Sequence, residues 1–364
     1  MTKYYAPQFS VRVNGSELTA DISHNVQQIA VVKNVDSAQD TCTLTIANPA
    51  PRMRWTHTDD ADLFWIGAEI LVAMGYVDDI KEVMVGVITG VSATFPDSAM
   101  PTINVTCSSK LQKLNGDQQT RTFTGKNAKE IVESVGMGAN LKVQAEDPGV
   151  THDYIIQANQ TDFQFLRSIA ERVHYELLVV DDTLYFRPPK ETEDKLYTFV
   201  WSPTGHYSSD QDNTLPLKSF NPDANALKQQ YTETETYGYD DKTKQGIRGK
   251  GSSGDVKKAG SQGGTDVRKQ ALGSHKRAHV TTPIRSQAEA DEHAKGAQGK
   301  SEQQFVVGTG HTVGVPDLKP GSAIELKGLG LWEGTYYVSK VTHTISNSGY
   351  ITDFVVQRNA TNAK

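Results

Sequence analysis

Two stretches decide how this chain folds. The first is Gly67-Ala-Glu-Ile70-Leu-Val72-Ala-Met-Gly75, continued by Ile88-Thr-Gly90-Val91-Ser92; the second is Gly321-Ser-Ala-Ile324-Glu-Leu326-Lys-Gly328, continued by Val338-Ser-Lys-Val341-Thr342. Each opens on a glycine and carries apolar residues at the two-residue period of a strand that buries one face. Each is followed by one more strand pattern, Thr102 to Ser108 in the first copy and Tyr350 to Arg358 in the second. Element order and approximate spacing are kept while few residues are, which predicts two related β domains that arose by duplication.

The first 110 residues extend this pattern. Phe9, Val11 and Val13 alternate with polar residues up to Asn14-Gly15, a strong hairpin signal, and Thr41 to Ile46 alternates up to the break Asn48-Pro49-Ala50-Pro51. With strands at Glu69 to Tyr76, Met84 to Phe95 and Thr102 to Ser108, the spacing predicts a small antiparallel barrel or sandwich. Its register puts Cys42, Leu44 and Ile46 in the core and Thr41, Thr43 and Thr45 on a solvated face. Cys107 shares the apolar face of its strand, so both cysteines read as small core residues and not as a redox pair or metal ligands.

From about 120 to 190 the period changes to that of a small α+β unit. Asn127-Ala-Lys-Glu130 and Thr161-Asp-Phe-Gln164 are capping boxes, and Phe165, Ile169 and Val173 form one helical stripe after the second. Strands at Glu176 to Val180 and Thr183 to Phe186, joined by Asp181-Asp182, precede Pro188-Pro189. Gln245 to Ser274 has eight glycines, scattered lysines and no apolar period, and reads as a flexible loop unable to bury enough surface to offset its ordering entropy. Ser286-Gln-Ala-Glu289 is a further capping box, but the helix it opens is polar all round and interrupted by Gly296 and Gly299. The expected fold is mainly β: two related antiparallel β-barrel domains, 1–110 and 201–364, flank an α+β domain at 111–200, and a flexible basic insertion lies at 241–280.

Charge is segregated along the 364 residues. The chain carries 37 Lys and Arg against 43 Asp and Glu, a net of −6, whereas residues 241–280 alone hold +7 and leave −13 on the rest. That balance argues against a general nucleic-acid binder, and the basic stretch lacks the interleaved aromatics of a single-strand platform. Its bland reading is a solvated insertion. Its sharper one is a tether to an acidic partner, with Lys257, Lys258, Arg268 and Lys269 as the contacts. No apolar run reaches the roughly 20 residues of a membrane helix, and the start has no secretory pattern.

Catalytic and metal signatures were sought by spacing. There is no H-E-x-x-H, C-x-x-C, calcium loop or nucleophile elbow in the sequence. The cluster His57, Asp59, Asp60, Asp62 reads as a solvated acidic turn, and the glycines of 308–314 and 328–334 as turn residues and not phosphate cradles. Glu171 and Glu176 beside His174 read as surface charge. No catalytic residue, cofactor or metal is expected.

Taken in order, several segments carry a resemblance: Tyr5-Ala-Pro-Gln-Phe9, Leu44-Thr-Ile-Ala-Asn-Pro49, Val85-Gly86, Phe95-Pro96, Arg121-Thr-Phe123, His152-Asp153-Tyr154, Gln157-Ala-Asn-Gln160-Thr-Asp-Phe163, Leu184-Tyr-Phe-Arg187-Pro188-Pro189, Pro316-Asp-Leu-Lys-Pro320-Gly321, Gly334-Thr-Tyr336-Tyr337, His343 and Ser348-Gly349-Tyr350. The chain resembles the late control D proteins of tailed phages, which are similar to the hub portion of VgrG proteins in contractile injection systems. The resemblance implies a homotrimeric, non-enzymatic baseplate hub whose six barrels form a pseudo-sixfold ring between the hexameric inner tube and the trimeric spike. Its implied partners are the inner tube protein, a separate spike protein and other baseplate subunits, with no direct membrane contact. It implies assembly in the bacterial cytoplasm into an injection particle or virion tail. A chain ending at Lys364 leaves no room for a needle, so another chain is expected to supply it. The competing reading is a carbohydrate-active or carbohydrate-binding β protein, whose two carboxylates need no local motif.

Overall fold

Alternation in the first hundred residues produces the strands it predicts. The computed structural model describes residues 6–35, 40–48, 64–77, 79–180, 183–190, 195–205, 213–228, 231–255, 257–280 and 284–362. The chain divides into two units, the first made of Met1–Gln112, His311–Pro320 and Lys340–Phe354, the second of Lys113–Gly310, Gly321–Ser339 and Val355–Lys364.

In the first unit, β1 (Pro7–Val13) turns through Asn14 and Gly15, both at positive φ, into β2 (Ser16–Glu17). Such a mirror-image turn matches the strand twist. A short helix α1 (Ala20–His24) leads to β3 (Val26–Asn34), β4 (Thr41–Ala47), β5 (Glu69–Tyr76), β6 (Asp79–Thr94) and β7 (Thr102–Ser109). They pair in the order β2-β1-β5-β6-β7-β4-β3, antiparallel throughout. Cys42, Leu44 and Ile46 are fully buried with Val72, Ile88 and Val105, whereas Thr41, Thr43 and Thr45 are half-buried, so the expected register holds. Cys42 and Cys107 sit directly opposite each other as free, buried thiols. The hydrogen bond that the Cys42 thiol makes to Cys107, together with burial, holds its pKa well above the ordinary range.

The second unit opens with β8 (Gln119–Asn127), α2 (Ala128–Gly138), β9 (Lys142–Ala145), β10 (Thr151–Gln160), α3 (Asp162–Val173), β11 (Glu176–Val180) and β12 (Thr183–Arg187). Both capping boxes form as read, Asn127 with Glu130 and Thr161 with Gln164. Phe123 of β8 stacks on Phe165 of α3 at 5.5 Å between ring centroids. There follow β13 (Lys195–Trp201), β14 (Thr214–Ala224), β15 (Glu233–Asp240), β16 (Gln245–Ser252), β17 (Gln262–Gly263), α4 (Gly264–Leu272), β18 (Lys276–His279), α5 (Gln287–Gln303), β19 (Val306–Val313), β20 (Ala323–Lys327), β21 (Gly334–Ser346), β22 (Gly349–Arg358) and β23 (Ala360–Thr361). Six of these form a ring, β13-β20-β21-β22-β19-β14, which the pairing of β13 with β14 closes into a barrel.

The repeat read in the sequence is visible in this order. Taken along the chain, β1, β3, β4, β5, β6 and β7 correspond to β13, β14, β19, β20, β21 and β22, and both sets have the same spatial order, β1-β5-β6-β7-β4-β3 against β13-β20-β21-β22-β19-β14. The correspondence reaches single hydrogen bonds. Gly67 N–H donates to Ile88 O while Ile88 N–H donates to Ala68 O; Gly321 N–H donates to Val338 O while Val338 N–H donates to Ser322 O. Gly67 at φ 96° and Gly321 at φ 81° make the turn that enters the strand, a conformation that side chains with a Cβ seldom adopt.

The expectation of two antiparallel barrels needs two corrections. The second barrel is mixed, because β13 runs parallel to both β14 and β20. A parallel pair needs a crossover in place of a hairpin. The first sheet is open: among the described residues β1 and β3 do not pair with each other, and β3 instead pairs with Lys340–Ser346 of β21.

The stretch expected to be a flexible insertion is regular structure. It holds β16, β17, α4 and β18, and its glycines serve close packing. A Cβ at Gly249 would lie 2.1 Å from the Ala290 carbonyl oxygen of α5, and one at Gly251 would lie 2.1 Å from that of Ala294. Alanine on the helix meets glycine on the strand, so the two backbones touch. α5 is also unbroken at Gly296, where the end of α3 crosses it and a Cβ would lie 2.9 Å from Arg172 O. Its polar residues are buried in a ladder: Thr234 Oγ1 donates to Gln298 Oε1 (3.0 Å), and Gln298 Nε2 and Thr265 Oγ1 both donate to Glu302 Oε1 (2.9 Å each). Low apolar content is tolerated here because the polar groups of this ladder are paired.

Two buried titratable groups pin turns within their own units. Glu176 is 5% exposed, not the surface charge expected, while Glu171 is exposed and meets Arg167 and Lys300. Glu176 Oε1 accepts from Tyr337 Oη at 3.0 Å and from Lys190 N, Arg187 Nε stands 3.5 Å from its other oxygen, and Arg187 Nη2 reaches the Gly321 carbonyl. Burial raises its pKa to about 7 against the pull of Arg187. His343, fully buried in the first unit, lies with Nε2 3.1 Å from Leu318 O and Nδ1 3.1 Å from Tyr350 Oη. These partners assign the proton to Nε2, and burial pushes the pKa down to about 3.

Replacing Gly249 or Gly251 by Ala is expected to destabilise the chain by about 1–3 kcal/mol, because the strand or helix must retreat. Gly246→Ala on the same strand, with nothing within 4 Å of its added Cβ, is the neutral control. Urea unfolding of the three variants checks this, and equal midpoints would refute the packing. A second expectation concerns pH. With its folded pKa near 7 against an ordinary 4.5, Glu176 contributes stability below pH 4.5 that is lost as pH rises through 7. Relative to Glu176→Gln, the native chain should therefore lose about 1.4 kcal/mol per pH unit across that window. His343 acts in the opposite sense, losing stability as pH falls from 6.5 towards 3. Urea midpoints at stepped pH read the Glu176 difference directly; parallel profiles would show the carboxylate titrates normally.

Candidate functional site

Of the four basic residues singled out in the sequence, three are surface side chains and one is not. Lys257, Lys258 and Lys269 are exposed, and Lys258 Nζ pairs with Asp266 of α4 at 2.5 Å. Arg268 is 7% exposed and donates from Nη1 to the Ala226 carbonyl at 2.7 Å. There it fastens α4, and of the four it alone lies away from the surface. The acidic cluster at His57, Asp59, Asp60 and Asp62 lies outside the described residues, as does the Asp181-Asp182 turn. Among the described residues no group of three or more His, Cys, Asp or Glu is placed to hold a metal ion.

Much of the remaining basic charge is engaged on the three-stranded sheet β16-β15-β18. Its outer face sets Tyr237 opposite Arg248 and Glu235 opposite Lys250, so aromatics and cations that are separate in sequence meet across strands. Arg248 grips Glu235 with two nitrogens, Nε at 3.1 Å and Nη2 at 2.5 Å, and Tyr237 Oη donates to the same carboxylate at 2.6 Å. Arg248 first, and then Tyr237, hold the Glu235 pKa down to about 2. Lys276 adds contacts to Glu233 and Glu235.

A polar cavity lies elsewhere in this unit. A cleft of about 410 Å³ is lined by residues 151–156 of β10, by Arg172 at the end of α3, by Asp240 and Lys242 at the β15–β16 turn, and by Arg285, Ser286, Gln287 and Glu289 at the start of α5. Its carboxylates are occupied. Asp153 pairs with Lys242 Nζ at 2.6 Å, which holds its carboxyl below the ordinary range. Asp240 accepts from Thr243 Oγ1 at 2.7 Å and Lys242 N at 2.8 Å. Glu289 accepts from Arg285 N at 3.1 Å and faces His152 Nδ1 at 3.4 Å; burial opposes its ionisation, yet His152 and that N–H bring its pKa down. Ser286 Oγ accepts from Glu289 N as the sequence implied, but the carboxylate turns to His152, so only half of the capping box forms. Arg172 and Arg285 are different. Among the described residues neither guanidinium makes a hydrogen bond or an ion pair, and burial lowers the pKa of Arg172 against the pull of Glu289. Sequence reading noted His152-Asp153-Tyr154 and Ser286-Gln-Ala-Glu289 separately; four segments far apart in the chain gave no local signal that they meet.

Comparison with solved structures places the fold. The chain is similar over 98% of its length to the 43 kDa tail protein of prophage MuSo2 from Shewanella oneidensis, all of which is covered at 12% identity with a TM-score of 0.70. It is similar over the same share to the tail protein from Neisseria meningitidis MC58, of which 97% is covered at 13% identity and a TM-score of 0.70. Over 96% of its length it is similar to the E. coli c3393 protein, a component of the type VI secretion system with structural similarity to the T4 bacteriophage tail proteins gp27 and gp5; 76% of that chain is covered at 9% identity and a TM-score of 0.57. At such identities the likeness is one of fold. No curated protein matches the sequence. The family model described as the Alg8 N-terminal domain matches residues 4–347, and the chain belongs to that family.

Proposed function

We propose that this chain is a structural hub in the baseplate of a contractile phage tail or injection machine. The observation that carries this reading is the shared strand order of β1-β5-β6-β7-β4-β3 and β13-β20-β21-β22-β19-β14 within one chain. Three such chains around an axis present six similar sheets, which reconciles a hexameric tube with a trimeric spike. The likeness in fold to phage tail proteins and to the c3393 protein supports it. On this reading the protein resembles late control D and VgrG hubs, forms a homotrimer, and meets the inner tube, the spike and other baseplate subunits after assembly in the bacterial cytoplasm. The organisation into 1–110, 111–200 and 201–364 belongs to the same proposal, with Lys257, Lys258 and Lys269 as surface positions open to a baseplate partner.

A carbohydrate-active reading needs two opposed carboxylates free to act on a glycosidic bond. The three carboxylates of the cleft are each engaged by a donor within the unit, which favours the structural reading. Native mass spectrometry at micromolar concentration tests the proposal. The expected species is three times the chain mass of 39.9 kDa, held by an obligate interface of more than about 2,000 Å² that dilution does not dissociate. A folded monomer as the sole species would overturn it.

A further inference from the structure

The cleft between β10 and the start of α5 has three properties in combination. First, six consecutive residues of β10, Thr151 to Ile156, line it. Successive side chains of a strand point to opposite faces, so six in a row border one cleft only along the strand's edge. That edge is free: among the described residues β10 pairs with β8 and with no other strand, leaving a row of backbone donors and acceptors. Second, Tyr154 and Ile156, at alternate positions, are 45% and 44% exposed, which sets apolar side chains at a two-residue spacing beside that edge. Third, every carboxylate in the cleft accepts a hydrogen bond, whereas among the described residues the Arg172 and Arg285 guanidinium groups donate none and feel Glu289 and Asp153 only at longer range. Arg172 is partly buried beside Glu289, whose charge attracts it without a hydrogen bond, and a partly desolvated guanidinium that lacks an acceptor is unfavourable.

We infer that this cleft binds an extended, acidic segment of a partner protein, which adds as a strand along the free edge of β10 and presents a carboxylate to Arg172 and Arg285. The backbone ladder supplies affinity without regard to sequence, alternate apolar residues of the segment rest on Tyr154 and Ile156, and the guanidinium groups select the acid. A small oxyanion would satisfy the arginines but leave the strand edge unused, which is why a peptide fits better. The inference stands on this unit's geometry and does not rest on the hub reading, so the failure of either leaves the other intact.

Fluorescence anisotropy with the whole chain tests it. The probe is a fluorescein-labelled eight-residue library that alternates Glu or Asp with Val or Ile, run against a counterpart with Lys in place of the acids. The acidic library should bind at least tenfold more tightly than the basic one. Arg172→Gln and Arg285→Gln should each weaken it about tenfold, in keeping with loss of a charge-assisted hydrogen bond. N-methylation of alternate peptide amides should abolish binding, because it removes the ladder donors. Folding is controlled by thermal melting: Arg172→Gln removes a guanidinium that makes no hydrogen bond within the chain and should leave a cooperative transition. Absence of binding by the native chain would overturn the inference, as would unchanged binding by the double variant. Equal binding of the N-methylated library, or its full displacement by millimolar inorganic phosphate, would show an oxyanion pocket and overturn the strand-addition model.

Discussion

Contact between backbones, at positions where a side chain would not fit, organises the second unit. β16 gives up its side chains at Gly249 and Gly251 so that Ala290 and Ala294 of α5 can lie directly on the strand. The helix gains dispersion contact along its length in place of an apolar stripe. On its other side Gly296 and Gly299 admit the end of α3, with a Cβ at Gly299 falling 2.9 Å from His174 Cδ2. α5 is thereby held from both sides, and its start, with Arg285 and Glu289, is fixed against His152 of β10 and near Arg172. The cleft is a consequence of that packing: one wall is β10, another is the helix end that the glycines position.

The duplicated strand order shows what a β repeat must keep. Alternation keeps a core face, and a positive-φ glycine with its reciprocal pair of hydrogen bonds sets where each central strand begins. The remaining side chains are free to change, provided the volume inside is filled. Connections are less constrained still. β13 runs parallel to both of its neighbours where β1 runs antiparallel to β5, and the second ring closes. β1 instead closes a tight hairpin with β2, and β3 finds its neighbour in β21.

What was legible in the sequence was what local period encodes. The Asn14-Gly15 turn, the register of Cys42, Leu44 and Ile46, the two capping boxes and the repeat all depend on residues close together in the chain, and all are present. What was not legible depends on partners far away. A glycine-rich, lysine-rich stretch looks the same whether its glycines serve disorder or close approach, and only α5 distinguishes the two. Glu176 reads as a surface carboxylate until Arg187 and Tyr337 fold over it. Arg268 reads as a free cation until Ala226 presents its carbonyl. β13 gives no local sign of running parallel, because strand direction is a property of connections and not of pattern.

The unit's buried polar groups separate into two kinds, and the separation locates its chemistry. Thr234, Gln298, Thr265 and Glu302 form a ladder in which each group meets another, and such a network specifies one arrangement of α4, β15 and α5. Glu176 is nearly as well served, with Tyr337, Lys190 and Arg187 around it. These groups meet one another inside the fold. At the cleft the account is unequal: acids accept hydrogen bonds from the chain itself, while Arg172, partly withdrawn from water, has the attraction of Glu289 but no hydrogen-bond acceptor among the described residues. That guanidinium stands beside a strand edge that is unpaired among the described residues. Complementarity missing inside the chain at such a place is what an external anion supplies.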